Sequence, residues 1–188
     1  MNPVLPFSAT MSFGSGDLTP HEEVLTRRLS EMPGAFADAS AQAELIAGGD
    51  PVVYRAYTAP IPEESSQLIF RTTIVAAGRV GDEYFMTKGH HHHRDSAEFY
   101  LGMSGEGLML LQHRNGEMRT EKLAPNVTVY VPPGWAHRTV NTSTEDLVFL
   151  AVYFGDAGHD YESIERGGFG AQVIATEQGP QVITATRS

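Results

Sequence analysis

An all-β fold, built as a sandwich or small barrel, is predicted by three observations. From Pro51 onward, short runs rich in β-branched and aromatic residues recur at near-regular spacing. Turn signals separate them: Ala77-Gly78, Gly102-Met103-Ser104-Gly105, Asn115-Gly116, Pro125-Asn126 and Pro132-Pro133-Gly134. The composition agrees, since 188 residues with a hydrophobic fraction of 41%, 19 Gly and 11 Pro describe one turn-rich domain with a sizeable core.

Taken in order, residues 1–20 carry Ser, Gly, Thr and Pro and read as an extended arm. Thr19-Pro20-His21-Glu22 has the chemistry of a helix start, with Thr as N-cap, Pro at the first helical position and acids in the first turn. A helix is therefore expected to about Leu29, broken by Met32-Pro33-Gly34. On that helix Arg27-Arg28 and Glu22-Glu23 form a solvated face. A second short helix spans Ser40 to Ala47 and ends at Gly48-Gly49. Strands follow at Val52 to Tyr57, Gln67 to Ala76, Glu98 to Met103, Gly107 to Gln112, Met118 to Leu123, Val127 to Val131, Arg138 to Asn141 and Leu147 to Phe154. Asn115-Gly116 is the strongest hairpin mark among the turns. The tail adds two strand-like runs, Ala171 to Ala175 and Gln181 to Thr186. The expected organisation is an N-terminal arm with helices, residues 1–50, packed on a barrel of residues 51–188, the whole forming one structural domain.

Charge and composition exclude several functions. The net charge is −10, with 2 Lys among 13 basic residues, so no basic footprint exists for nucleic acid or an anionic membrane. Such a surface also repels anionic substrates at long range, and any phosphate site must be local. No run of 18 apolar residues exists, and the N-terminus lacks the charged and apolar regions of a secretory signal. With no cysteine there are no disulfides, no thiolate ligands and no cysteine nucleophile. A cytoplasmic location fits these features. Any bound metal must use nitrogen and oxygen donors.

Those donors are concentrated in two places. Four of the 8 histidines stand side by side in Gly89-His90-His91-His92-His93, and Glu98 follows. His137 lies within Pro132-Pro133-Gly134-Trp135-Ala136-His137-Arg138-Thr139-Val140-Asn141. Side chains alternate along a strand, so His90 and His92 share one face while His91 and His93 share the other. Two inward imidazoles, a carboxylate and a third imidazole from neighbouring strands make a four-donor site for a divalent metal. An expression tag is disfavoured because the run is internal. Spacing alone leaves two registers open, His90/His92 or His91/His93 with Glu98, and the two differ by one face of the strand.

The two motifs together resemble the cupin superfamily: His-x-His, then Glu98 with Gly105 seven residues on, then Pro-x-Gly-x-x-His-x-x-x-Asn ending at Asn141. The resemblance implies a jelly-roll barrel with a metal held by three His and one Glu. Further blocks are similar to the cupin-type glucose-6-phosphate isomerases: Arg27-Arg28-Leu29-Ser30-Glu31-Met32, Asp50-Pro51-Val52-Val53-Tyr54, Thr87-Lys88-Gly89-His90, Ala97-Glu98-Phe99-Tyr100, Tyr130 to Asn141, and Asp156-Ala157-Gly158-His159-Asp160-Tyr161. Within this resemblance Thr87-Lys88-Gly89 anchors the register on His90 and His92. The shortened gap to Glu98, Gly134 in place of an aromatic residue, and Asn126 in place of Gly depart from the family pattern.

The resemblance implies an isomerase that interconverts glucose 6-phosphate and fructose 6-phosphate in glycolysis and gluconeogenesis, acting as a homodimer. It implies one divalent metal per subunit on His90, His92, Glu98 and His137, Fe2+ foremost, with Mn2+, Ni2+ or Zn2+ as substitutes. Sugar-phosphate contacts fall on Tyr54, Thr73, Thr87, Gly89 and Tyr153, and the sugar end on Tyr100 and His159. Glu98, His159 and Tyr100 form the expected catalytic set, with Glu98 the natural base. Lys88 is either an ion-pair partner or an aid near the phosphate. Two other uses of such a chain are an iron dioxygenase on the same donor set, which calls for an apolar pocket, and a non-catalytic sugar-binding cupin, which needs no complete donor set. The homodimer is also suggested by the arm, whose Val4, Leu5 and Phe7 would be buried against a partner.

Overall fold

The alternation in the sequence is realised as strands that pair antiparallel throughout. The computed structural model describes residues 5–185. In chain order the elements are β1 (Thr10–Met11), β2 (Leu18–Thr19), β3 (Glu23–Arg28), a 3-10 turn (Leu29–Glu31), α1 (Ala39–Ala47), β4 (Val52–Thr58), β5 (Leu68–Val75), β6 (Arg79–Val80), β7 (Glu83–Tyr84), β8 (Glu98–Ser104), β9 (Gly107–His113), β10 (Met118–Leu123), β11 (Thr128–Val131), β12 (Trp135–Asn141), β13 (Leu147–Phe154), α2 (Glu162–Gly167), β14 (Ala171–Thr176) and β15 (Gly179–Thr184).

One sheet has six strands in the order β11-β8-β13-β5-β4-β3, and the facing layer is β10-β9-β12. A third sheet, β15-β14-β7-β6, continues the second layer at one end. Between β7 and β8 the chain runs beside β12 without forming a continuous strand. Thr87 N donates to Thr139 O at 2.9 Å, and Asn141 N donates to Phe85 O at 2.9 Å. This out-of-order pairing, in which strands distant in sequence lie side by side, is the jelly-roll arrangement that the motifs predict. The core between the layers includes Leu29, Met32, Val75, Met109, Leu123 and Leu147, each with no exposed surface. A side chain of this kind contributes roughly 1.5–3 kcal/mol by leaving water. Asn141 stitches the layers: its amide donates to Val75 O at 2.9 Å and to Glu145 O at 2.8 Å.

The expected strands from Val52 to Phe154 are present within a residue or a few of their predicted ends. The helix expected from Thr19-Pro20 to Leu29 is not: that stretch is β3, paired with β4 from Glu23↔Thr58 to Arg28↔Val52. Val24 and Thr26 are β-branched and favour a strand, and β4 supplies the hydrogen bonds that a helix would have made internally. The solvated face survives on a strand instead of a helix: Glu22, Glu23 and Arg28 are exposed, Arg27 is half-buried with its Nε sealed from water, and Leu25 between them lines the cavity described below. β3 thus belongs to the six-stranded sheet although it precedes residue 51.

The second helix is present as α1, capped by Asp38, whose carboxylate accepts from Ala41 N, and ended at Gly48. The arm contains the β1–β2 hairpin and lies on the outer face of the large sheet. Thr72 Oγ1 donates to Gly16 O there, and Phe7 stacks on Phe70 with ring centroids 6.3 Å apart. Val4 and Thr186, which belong to expected elements, fall outside the described residues. Among the described residues no helix is long and apolar enough to cross a membrane.

Candidate metal centre and substrate cavity

His90 and His92 enter the barrel interior and His91 leaves it, as alternation along an extended chain requires. His91 faces outward to Ser163 Oγ, 3.1 Å from its Nδ1. Gly89 permits the turn into this run, since its φ of +76° is the left-handed region that glycine adopts freely. His137 arrives from β12, presented by the Pro132-Pro133-Gly134 turn, in which Gly134 has φ +83°. Glu98 is the first residue of β8.

These four residues bring one donor atom each to within 4.8 Å of one another. His92 Nε2 and His137 Nε2 lie 3.0 and 2.9 Å from the same Glu98 oxygen, Oε2. The second contact is close but not aligned as a hydrogen bond, and His137 Nε2 has no partner. His90 Nε2 is likewise buried and unpartnered.

The opposite ring nitrogens fix the tautomers. His92 Nδ1–H donates to Ser96 O at 3.0 Å, and His137 Nδ1–H donates to Trp135 O at 3.3 Å. His137 Nε2 is therefore left with its lone pair directed at the cluster, whereas His92 Nε2 is bonded to Glu98 and offers a lone pair only when the ring is neutral. Two orphaned ring nitrogens beside a buried carboxylate form a donor set that fits a divalent cation.

Burial dominates the electrostatics. It disfavours the Glu98 carboxylate, but His137 and His92 outweigh it and hold the carboxyl well below the ordinary range. Burial, helped by the neighbouring imidazoles of His137 and His159, pushes His90 well down. His92 feels the same burial, but its bond to Glu98 prevails and its pKa is raised. Burial and the Glu98 charge push the Tyr100 hydroxyl well up, so it remains protonated beside the carboxylate. His159 is depressed to about 4, first by burial and then by Arg71. Its imidazole is neutral at ordinary pH.

A cavity lined largely by polar residues opens onto the cluster. Tyr54, Thr73, Thr87, Gly89, Tyr100, Tyr153 and His159 all line it, so the structure brings every one of these predicted residues to one place. They come from separate strands: Tyr54 from β4, Thr73 from β5, Tyr153 from β13 and Tyr100 from β8. Tyr153 Oη is buried without a partner, a further polar group turned to the cavity. His159 packs against His90 with ring centroids 4.5 Å apart and stacks with Tyr161 at 5.9 Å.

Arg71 and Tyr161 also line the cavity and were not singled out in the sequence. Arg71 sits two residues from Thr73 on the inward face of β5, so period-2 alternation could have found it. Tyr161 closes the Asp-Ala-Gly-His-Asp-Tyr block, and its position depends on the loop after β13. Lys88 forms an ion pair with Glu165, one of its two expected roles, and also stands on the cavity wall.

A family model described as glucose-6-phosphate isomerase matches residues 26–187. The glucose-6-phosphate isomerase of Thermococcus litoralis is 44% identical over 179 residues, covering 95% of this chain and 93% of that protein. That of Pyrococcus abyssi is 45% identical over 175 residues, covering 93% of this chain and 92% of its own. Among solved structures, a mutant of Bacillus subtilis oxalate decarboxylase superposes with a TM-score of 0.46 and 23% identity, over 59% of this chain and 28% of that longer one.

Proposed function

The chain belongs to the glucose-6-phosphate isomerase family, and we propose that it interconverts glucose 6-phosphate and fructose 6-phosphate in the cavity above with the help of one divalent metal per subunit. The observation that carries this reading is the union, in one cavity, of a four-donor cluster with a polar lining of hydroxyls and imidazole. His90, His92, Glu98 and His137 would hold the metal. Fe2+ is the first choice, and Mn2+, Ni2+ and Zn2+ suit the same donors. When bound, the ion supplies Lewis acidity that stabilises negative charge developing on the substrate oxygens.

The residues divide the remaining work. Thr73, Thr87, Tyr54 and Tyr153 offer hydroxyls to the phosphate, and the Gly89 backbone lies in a position that no larger residue could share. Charge-assisted bonds of this kind orient a phosphate without a large positive field. His159, neutral because it is buried, can take the proton of the anomeric hydroxyl and return one to the ring oxygen, opening the sugar. Glu98 is ionised and contacts its imidazoles through Oε2, leaving Oε1 for the substrate side. It takes the hydrogen from one carbon and returns it to the next. Tyr100, kept protonated, braces that carboxylate.

A coupled assay that follows fructose 6-phosphate to glucose 6-phosphate, run with and without a chelator, tests the reading. Activity that vanishes with chelator and returns with Fe2+ supports it. Full activity in excess chelator overturns the metal requirement.

A homodimer in the cytoplasm completes the proposal. The outer face of the six-stranded sheet exposes Tyr130, Phe99, Phe154 and Leu68, of which Tyr130 pairs with Phe99 and Phe154 with Leu68. A contiguous apolar patch of this kind suits a second copy. The arm adjoins this face through the Phe7–Phe70 stack, and its Leu5 and Phe7 stay exposed, so both can contribute to the interface. A monomer by light scattering at micromolar concentration would sink the dimer.

A further inference from the structure

Lys88 and Arg71 line the cavity, Arg27 and Arg138 stand behind its wall, and they are not equivalent. Lys88 is paired with Glu165, and its ammonium lies 5.7 Å from the Tyr161 ring centroid. Arg27 is paired with Glu31 at 3.2 Å. Arg71 has no carboxylate within ion-pair distance among the described residues. Its side-chain hydrogen bond, from Nε to Thr58 Oγ1 at 2.9 Å, leaves both terminal nitrogens free. The guanidinium carbon rests 5.7 Å from the centroid of Tyr153, and the side chain lines the cavity.

Charge gives this residue a task. The protein carries −10, and the cavity floor holds the Glu98 carboxylate. A dianionic sugar phosphate must enter against both. Hydroxyls and a backbone amide orient a phosphate but do not neutralise it. A guanidinium does both, because its two free nitrogens match two phosphate oxygens. Arg71 also shares the inward face of β5 with Thr73 and lies over Tyr153, so it adjoins two of the residues assigned to the phosphate. Thr58 and Tyr153 hold it in place before substrate arrives, which lowers the entropy lost on binding.

Resting on the isomerase reading above, we propose that Arg71 is the residue that recognises the charge of the substrate phosphate and so selects phosphorylated over neutral sugars. It is a specificity residue and takes no part in moving the hydrogen between carbons.

The test compares wild type with Arg71→Gln and Arg71→Lys, each checked by thermal melting. For fructose 6-phosphate, KM in Arg71→Gln should rise roughly 10- to 100-fold, the loss of a charge-assisted contact, with kcat within a few-fold. Arg71→Lys, which keeps the charge but loses the fork, should fall between. Sorbitol 6-phosphate as a competing ligand should weaken in parallel, while sorbitol, which has no phosphate, should bind wild type and variant alike. A fall in kcat at unchanged KM would overturn the proposal and put Arg71 at the reacting carbons. Equal weakening of sorbitol and sorbitol 6-phosphate would also overturn it, as a general disturbance of the cavity. An inactive wild type would defeat the isomerase reading instead. Calorimetric titration of sorbitol 6-phosphate then still decides Arg71: binding lost in Arg71→Gln supports it, and equal binding refutes it.

Discussion

His90 and His137 are partners twice over. His90 N donates to His137 O at 3.3 Å, His137 N donates to His90 O at 3.1 Å, and their rings lie 4.4 Å apart by centroid. The backbone pairing that lays the His run alongside β12 is thus also the pairing that sets two metal donors side by side. The reciprocal pair fixes the two backbones relative to each other before any ion binds, and the His137 ring is further held by its bond to Trp135 O.

Metal content should follow that geometry. His137→Ala and His92→Ala are each expected to lose most bound metal after dialysis, as measured by elemental analysis, since each removes one of four donors. His91→Ala should keep full occupancy, because His91 faces Ser163 outside the cluster. Full metal in His92→Ala together with loss in His91→Ala would reverse the register.

Gly89→Ala tests the turn that delivers His90. The left-handed φ of +76° strains any residue with a Cβ, and the added carbon would meet the Phe169 ring at 2.7 Å and His137 O at 3.1 Å. Destabilisation of at least about 1 kcal/mol is expected from the backbone strain alone. Metal affinity should fall as well, since His90 cannot move independently of His137. A variant with unchanged chemical unfolding midpoint and unchanged metal content would show that the turn tolerates the change.

The metal donors were legible because one strand rule, period 2, acts within a few residues. The same rule would have found Arg71, but only once Thr73 was known to face inward, and that depends on its pairing with Ala56 across β4. β3 was misread for a related reason. Thr-Pro-x-Glu is local helix chemistry, whereas the partner that makes Glu23–Arg28 a strand is separated from it by α1 and the loops around it. Asn126 is the converse case. Its φ of +66° is the left-handed conformation that glycine favours, and Asn is among the residues with side chains that tolerate it best.

Stability should depend on pH through His159. Its folded pKa, about 4, is below the ordinary histidine value of 6.5, so burial favours the neutral form. The sign follows: unfolding takes up a proton, the contribution is complete above about 6.5, and it is lost as pH falls toward 4. In metal-free protein, His159→Gln should flatten the fall in urea stability between these values by at most one proton, about 1.4 kcal/mol per pH unit. His90 and Glu98 titrate in the same sense and His92 in the opposite one, and all three are common to wild type and variant. Parallel curves for the two proteins would show that His159 does not titrate in this way.

The last prediction concerns Glu98, which is proposed both as a ligand and as the base. A carboxylate on a cation is a weak base, because the ion favours its charged form. Two routes therefore compete: Glu98 takes the hydrogen as a proton, or the hydrogen shifts between carbons as hydride. Glu98→Gln separates them, since the amide keeps an oxygen for the metal but cannot accept a proton. With occupancy restored by excess metal, and confirmed by elemental analysis, the rate should still fall at least ~10²-fold if Glu98 is the base. Solvent exchange is the independent measurement. In D₂O, a proton route lets deuterium enter C1 or C2 of the product, whereas a hydride shift keeps the substrate hydrogen. The closed cavity could return the same proton unexchanged, so missing deuterium alone does not decide the matter. Missing deuterium together with near-normal turnover in the metal-loaded Glu98→Gln enzyme would end the base role and leave Glu98 as a ligand only.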